Sequence, residues 1–166
     1  MQNFFENGLQ FSCTKCSACC RGDEGFVFLS NDDIKNLCEH LKLSKKNFIE
    51  RFCRFIPTYE NEAYLSLLET KNHDCIFWNE GCSVYAARPV QCQTYPFWTG
   101  FLESREAWED EKKNCAGINA GVLHDKVEIE KIKMRYEKNE CAIFSLDEQK
   151  EYLVKTESYF IARGAK

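Results

Sequence analysis

Apolar residues recur at helical spacing directly after residue 30 of the chain. Ser30 or Asn31 can cap a helix here, because Asp32 and Asp33 follow in the first turn, where the helix dipole favours acidic side chains. The apolar positions at i, i+3, i+4 and i+7 are Ile34, Leu37, Cys38 and Leu41. The pattern predicts an amphipathic helix, and Cys38 is interpreted as a core residue on its apolar face.

A second helix is predicted to begin at Ser44 and to end at Pro57, which cannot continue a helix. Its apolar face comprises Phe48, Ile49, Phe52, Cys53 and Ile56. Cys53 is therefore also interpreted as a core residue.

Short strands and turns are predicted between residues 26 and 98. Phe26–Leu29 and the segment 63–69 have strand composition, and 74–85 resembles a hairpin that turns at "NEG". A short helix is predicted around Pro89, ending before Pro96.

The C-terminal part of the chain is predicted to be helical. The segment 124–140 has the pattern of a charged amphipathic helix, and a last helix is expected over Asp147–Arg163. Cys141, between them, is interpreted as a free core cysteine. The elements together predict one α+β domain over 1–166, predominantly α-helical with short strands and an irregular, cysteine-rich core organised by metal.

Composition narrows the choice of partners and compartment. The 166 residues carry a net charge of -4, which argues against non-specific nucleic-acid binding. The N-terminus lacks the features of a signal peptide, and no run approaches the roughly 18 apolar residues of a membrane helix. We therefore expect a cytoplasmic protein that binds neither nucleic acid nor membrane. A protein partner remains an open question.

The number of cysteines, 11, is the outlying feature of the composition. Three explanations compete: a disulfide framework, metal ligands or thiol redox chemistry. The cytoplasm keeps thiols reduced, and the Cα atoms of the adjacent Cys19 and Cys20 lie about 3.8 Å apart, below the usual range for a disulfide. After the three interpreted core cysteines are set aside, eight candidate metal ligands remain: Cys13, Cys16, Cys19, Cys20, Cys75, Cys82, Cys92 and Cys115.

The spacing of the first cysteines favours metal binding. C-x2-C occurs twice in overlap within "CTKCSACC", and two intervening residues let both sulfur atoms reach one tetrahedral centre. Thiolates suit zinc or an iron–sulfur cluster and exclude magnesium and calcium. "CTKCSAC" matches the start of the bacterial ferredoxin run but continues with Cys20 instead of x3-C-P. Zinc and an iron–sulfur cluster are both retained.

The Cys19–Cys20 pair raises the question of how many centres are present. Because neighbouring side chains diverge, the two thiols are expected to serve two centres, or one of them to stay free. One grouping places the N-terminal triple with a distal thiol such as Cys92. Eight thiolates around two zinc ions would carry excess negative charge, which Arg21 and Arg88 could offset unless they are ordinary surface arginines.

No other catalytic arrangement is apparent in the sequence. The histidines are scattered, and His73 is interpreted as a solvated turn residue although it lies two positions before Cys75. No phosphate-binding loop, nucleophile elbow or H-E-x-x-H motif occurs. The aromatic residues of "TYPFWTGF" beside Cys92 are interpreted as hydrophobic cover for a buried centre.

The segments "CTKCSACC", "DCIFWNEGCSVYAARPVQCQTYPFW" and "NCAGINAG" resemble the YkgJ-type cysteine-cluster family, also called the CxxCxxCC family. The resemblance covers 13–121, and the helices of 122–166 carry little of it. It implies that the eight cysteines are defining positions within a framework of Tyr85, Arg88, Pro89 and Pro96. "CAG" replaces the Cys-Pro-Gly common in the family, which affects the local turn.

The resemblance implies chelation of zinc or iron without specifying a reaction. Our main hypothesis is therefore an accessory or structural metal-binding protein. A related cysteine region occurs in flagellin lysine N-methylases, which suggests an alternative: an iron–sulfur-dependent redox or group-transfer enzyme. The chain has no recognisable glycine-rich loop for S-adenosylmethionine.

Overall fold

The computed structural model describes residues 3–58 and 60–152 of the chain. Five α-helices lie wholly within these ranges: α1 Asn31–Leu41, α2 Lys45–Phe52, α3 Val90–Thr94, α4 Arg105–Glu111 and α5 Lys126–Glu137. Its strands are β1 Leu9–Phe11, β2 Cys53–Pro57, β3 Glu62–Leu67, β4 Ile118–His124 and β5 Ile143–Ser145. The predicted α+β class with short strands is confirmed. No helix in the described ranges is both long and apolar enough to cross a membrane.

Helix α1 forms as predicted, and its N-terminus is capped from both sides. Ser30 Oγ accepts a hydrogen bond from the Asp33 backbone N–H, and the Asp33 carboxylate accepts one from the Ser30 N–H. Ile34 and Leu37 are buried, and Cys38 is half-buried against the same core. The apolar face indicated by the sequence is therefore the face that packs inward.

Helix α2 begins after Ser44 as predicted, but it ends at Phe52, well before the predicted end at Pro57. Residues 53–57 form β2, which pairs antiparallel with β3 from Cys53↔Leu67 to Pro57↔Ala63. The aromatic and β-branched residues of this segment suit a half-buried sheet, and the ladder with β3 satisfies their backbone groups. The interpretation of Cys53 as a core residue is correct, because it is only 5% exposed.

The strands form two small antiparallel sheets. One has the order β2-β3-β5, and the other pairs β1 with β4. The three-stranded sheet, α1 and α2 supply the first core, whereas β1, β4, α4 and α5 contribute to a second core that contains Trp108. Cys75 and Cys82 pack against the first core, and Cys115 belongs to the second. The cysteine-rich segments therefore connect the two cores.

The predicted elements between residues 26 and 98 are more irregular than expected. Phe26–Leu29 forms an isolated bridge at Phe28↔Ser66 instead of a strand, and the predicted hairpin is reduced to a bridge at Trp78↔Cys82. A turn does occur at "NEG", where the Asn79 N–H donates to Gly81 O over 2.8 Å. The short helix predicted after Pro89 is α3, and it ends before Pro96.

The C-terminal prediction is partly covered by the structure. Helix α5 confirms the charged helix, with Asp125 as its N-cap. Residues 146–152 are helical, and the rest of the predicted helix Asp147–Arg163 lies outside the described residues. Cys141 is a half-buried free thiol.

Candidate metal centre

The first cysteine cluster lies in a loop that follows β1. Lys15 and Ser17 adopt left-handed backbone conformations, with φ of 56° and 64°, and a single 3₁₀ turn covers Ala18–Cys20. The Cys75 N–H donates to Cys20 O over 2.8 Å, which joins this loop to a cysteine 55 positions later. The loop is thereby held against the segment that carries the distal thiols.

Two adjoining cavities are lined by the cysteines. The smaller cavity has a volume of about 240 Å³, and its thiols are Cys13, Cys16, Cys19, Cys92 and Cys115. The larger cavity has a volume of about 410 Å³, and its thiols are Cys19, Cys20, Cys75 and Cys92. Cys19 and Cys92 line both cavities. Seven of the eight predicted ligands thus face one connected region.

The eighth candidate, Cys82, lies within electrostatic reach of this region. Burial raises the pKa of Cys92, and the charges of Cys75, Cys19 and Cys82 raise it further. Burial likewise raises the pKa of Cys75, again with contributions from Cys82 and Cys19. Several thiols therefore oppose one another's ionisation, and a cation among them would relieve that repulsion.

The adjacent thiols of Cys19 and Cys20 do not diverge, contrary to the expectation from sequence. Their Sγ atoms are 3.6 Å apart, and the hydrogen bond between them raises the pKa of Cys19. Two thiolates bound tetrahedrally at about 2.3 Å from one zinc ion would be separated by roughly 3.8 Å. The loop conformation thus brings this pair to a spacing that suits a shared ion.

The other donors are less closely grouped. Among residues 3–58 and 60–152, no three Cys, His, Asp or Glu side chains surround one point as tightly as a bound ion requires. All eleven cysteines are free thiols. The fit to a thiophilic metal therefore rests on the chemistry of the donors, on their shared cavities and on the Cys19–Cys20 spacing.

Tyr95, the first aromatic residue of "TYPFWTGF", has polar contacts in this region that its interpretation as hydrophobic cover did not predict. It lines both cavities, and its hydroxyl donates to Glu111 Oε1 over 2.5 Å. Burial raises the pKa of Cys115, and the Gly117 backbone and the neighbouring Tyr95 hydroxyl act in the opposite direction. No sequence motif reveals this contact, because Tyr95, Glu111 and Cys115 come together only through packing.

Arg88 and Arg21 occupy different environments near the thiols. The Arg88 guanidinium lies 3.6 Å from the centre of the Tyr85 ring and lines the smaller cavity. Burial and the neighbouring thiols raise the pKa values of Cys19 and Cys92, and the Arg88 charge partly opposes this increase. Arg21 lies 4.3 Å from the Trp78 ring centre and 3.7 Å from Asp74. Arg88 thus favours ionisation of Cys19 and Cys92, whereas Arg21 lines the larger cavity beside Asp74. His73 is exposed at the larger cavity.

Helix α3, which carries Cys92, is positioned by a buried carboxylate from α1. Asp33 Oδ1 accepts from the Val90 N–H over 2.9 Å, and Asp33 Oδ2 accepts from Asn139 Nδ2 over 3.0 Å. The sequence identified Asp33 only as a first-turn acid of α1. Its second role depends on two partners that are 57 and 106 residues away.

Comparison with models of known protein families gives a match to this chain. The model of the CxxCxxCC family, described as a "putative zinc- or iron-chelating domain", matches residues 12–116. This range contains all eight cysteines of the predicted site. No solved structure matches the chain significantly.

Proposed function

This chain belongs to the CxxCxxCC family, and we propose that it binds zinc or iron through Cys13, Cys16, Cys19, Cys20, Cys75, Cys82, Cys92 and Cys115. The observation that carries the proposal is the convergence of seven of these thiols on two adjoining cavities, with the eighth within electrostatic reach. The family description independently supports metal chelation.

The cavities suggest how the ligands divide. Cys13, Cys16 and Cys115 line the smaller cavity alone, and Cys20 and Cys75 line the larger cavity alone. We assign Cys82 to the side of Cys75, since its charge contributes to raising the pKa of Cys75. Cys19 and Cys92 stand between the two groups and would complete each set. This division supports two neighbouring centres, with Cys92 beside the N-terminal thiols.

The proposed role is structural or accessory. Bound metal would join three segments, 13–20, 75–92 and the region of Cys115, and these segments contact the two separate cores. A thiolate-bound metal of this kind supplies folding free energy, because the unfolded chain has no preformed site. Arg88 would offset part of the thiolate charge. The thiols must stay reduced to bind, which fits the proposed cytoplasmic location.

The decisive experiment is metal and sulfide analysis of protein purified without air, with a pair of matched cysteine variants. Cys92→Ser alters a thiol that lines both cavities, whereas Cys141→Ser alters a half-buried thiol that lines neither. We expect stoichiometric zinc or iron in the native protein and in Cys141→Ser, and a loss of at least half of it in Cys92→Ser. Equal metal content in the two variants, or a native protein without either metal, would refute the proposal.

One observation favours the alternative of an iron–sulfur redox or group-transfer enzyme. The larger cavity could admit a small organic molecule beside four of the thiols. Acid-labile sulfide and broad visible absorption would support this alternative, and a colourless protein with zinc would exclude it.

A further inference from the structure

The larger cavity has an apolar side, formed by ordered side chains, that is not needed to bind a metal. Its volume of about 410 Å³ falls in the range of small-molecule sites. Thiols of Cys19, Cys20, Cys75 and Cys92 form one part of the lining, and Phe26, Leu67, Trp98 and Phe101 form an apolar part. A molecule in this cavity would contact both.

The apolar wall is held in place by contacts within the protein. Trp98 stacks between Phe101 and Tyr136, with ring centres 5.5 Å apart in each pair, and its Nε1 donates to Gln91 O over 3.0 Å. The segment that carries Phe26 is held by the Gln91 side chain, which donates to Phe26 O over 2.8 Å and accepts from the Phe28 N–H over 2.9 Å. A pre-formed wall lowers the ordering cost of binding.

The charges around the cavity favour a cation. Glu69 is paired with Arg54, and Arg21 lies beside Asp74. Glu111 accepts from the Tyr95 hydroxyl. Two further lining carboxylates, Asp23 and Glu24, have no hydrogen bond or ion pair with any residue that the structure describes. Arg21 lines the cavity and the Arg54 guanidinium lies 4.8 Å from the Phe26 ring centre, but each of these cations lies beside a carboxylate of its own, Asp74 or Glu69. Asp23 and Glu24, which remain available to a ligand, therefore make the rim negative.

The proposed metal centre would add to this negative potential. Four thiolates around one Zn²⁺ leave a net charge of about −2 next to the cavity. Arg88 offsets part of it from the side of the smaller cavity. An anionic ligand would be repelled by both the rim and the centre, whereas a cation would be attracted to both.

We propose that the larger cavity binds an organic ammonium cation with an apolar body, which rests against Phe26 and Phe101 while its charged group faces Asp23 and Glu24. This proposal rests on the proposed function for part of the negative potential in the cavity, because the metal centre with its thiolates would supply that part. The wall and the two carboxylates exist independently of the metal.

The test is calorimetric titration of the metal-loaded protein with three probes that share a phenyl group and differ in their polar end. The probes are 2-phenylethylammonium, 2-phenylethanol and 3-phenylpropionate. We expect the ammonium probe to bind at least about fivefold more tightly than the alcohol, and the carboxylate probe to bind most weakly. Added salt should weaken the ammonium probe more than the alcohol.

Two matched double variants test whether Asp23 and Glu24 cause the preference for the ammonium probe. Asp23→Asn/Glu24→Gln should weaken the ammonium probe about fivefold and leave the alcohol unchanged. Asp32→Asn/Glu130→Gln removes the same charge from exposed positions outside the cavity and should change neither affinity. Phe26, which is 43% exposed, can be replaced by alanine without opening the core, and Phe26→Ala should weaken both probes. Because the Arg54 guanidinium lies 4.8 Å from the Phe26 ring centre, the alcohol probe, which carries no charge, measures the apolar contact in this variant.

Measuring metal in every preparation separates this proposal from the proposed function. Equal affinities for the ammonium probe and the alcohol, equal effects of the two double variants, or no binding by a protein that retains its metal would overturn the ligand proposal alone. A protein that lacks zinc and iron but still binds the ammonium probe through Asp23 and Glu24 would refute the metal centre and leave the cavity assignment standing.

Discussion

Replacing Asp33 should destabilise the protein far more than replacing its neighbour Asp32. Asp33 is 2% exposed, and its carboxylate accepts hydrogen bonds from both the N–H and the hydroxyl of Ser30, from the Val90 N–H and from Asn139 Nδ2. The Asp33→Ala change therefore removes the cap of α1 and leaves donors on two other segments without their acceptor.

The magnitude follows from these contacts. A lost helix cap costs about 0.5–2 kcal/mol, and a lost hydrogen bond to a charged group costs about 1.5–3 kcal/mol. These contributions are not additive, and removing the carboxylate also removes the cost of burying its charge, which offsets part of the loss. We therefore expect Asp33→Ala to lower the free energy of unfolding by about 3–5 kcal/mol. In a chain of this length that corresponds to a decrease of roughly 6–20 °C in Tm.

Exposed Asp32 in the same helical turn provides the control. Asp32→Ala loses only a favourable interaction with the helix dipole and should cost less than about 1 kcal/mol. Urea denaturation of the metal-loaded variants, followed by circular dichroism, gives both values. Asp33→Ala should also retain less metal, because the Val90 contact positions the helix that carries Cys92.

Asp33→Asn keeps the side-chain volume and part of the acceptor capacity, so it should fall between the two alanine variants. It also remains informative if Asp33→Ala does not fold. A destabilisation by Asp33→Ala within about 1 kcal/mol of that by Asp32→Ala would refute the role of Asp33 as the link between α1 and α3.

Three further predictions concern the thiols. Tyr95→Phe should lower the free energy of unfolding by about 1–2 kcal/mol, because Glu111 loses the hydrogen bond that the Tyr95 hydroxyl donates. It should also weaken metal binding about tenfold, because the polar hydroxyl that lowers the pKa of Cys115 is removed. Denaturation and chelator competition would measure these two effects, and an unchanged metal affinity would contradict the second. Arg88→Gln should raise the pKa of Cys92 and weaken metal binding at neutral pH, whereas Arg51→Gln, at an exposed position outside both cavities, should bind metal as the native protein does. Acidification should release the metal, because protons compete with it for the thiolates. Because the pKa values of Cys75 and Cys92 are raised, this release should occur at a higher pH than for ordinary thiols. A chelator titration that gives the same metal affinity at pH 6 and pH 8 would contradict this expectation.

Local sequence signals predicted the helices well where capping and periodicity agreed. Ser30 and Ser44 marked the starts of α1 and α2 correctly, and the charged segment before residue 138 became α5. The prediction failed at residues 53–56, where helical spacing continued but pairing with β3 produced a strand. Strand β1 was missed because three residues offer too little periodicity, and its partner β4 is largely exposed and so lacks an apolar alternation.

The kind of chemistry was set by residue types and short spacings that are visible in the linear chain. Overlapping C-x2-C motifs supply soft thiolate donors whatever tertiary structure the loop adopts. The preference for a thiophilic metal therefore follows from those residues alone. The grouping of the donors was decided by tertiary packing. Cys75 joins Cys20, Tyr95 approaches Cys115 and Asp33 positions α3 only after distant segments have packed together. Such contacts depend on the balance of burial and hydrogen bonding over the whole chain, which no local pattern encodes.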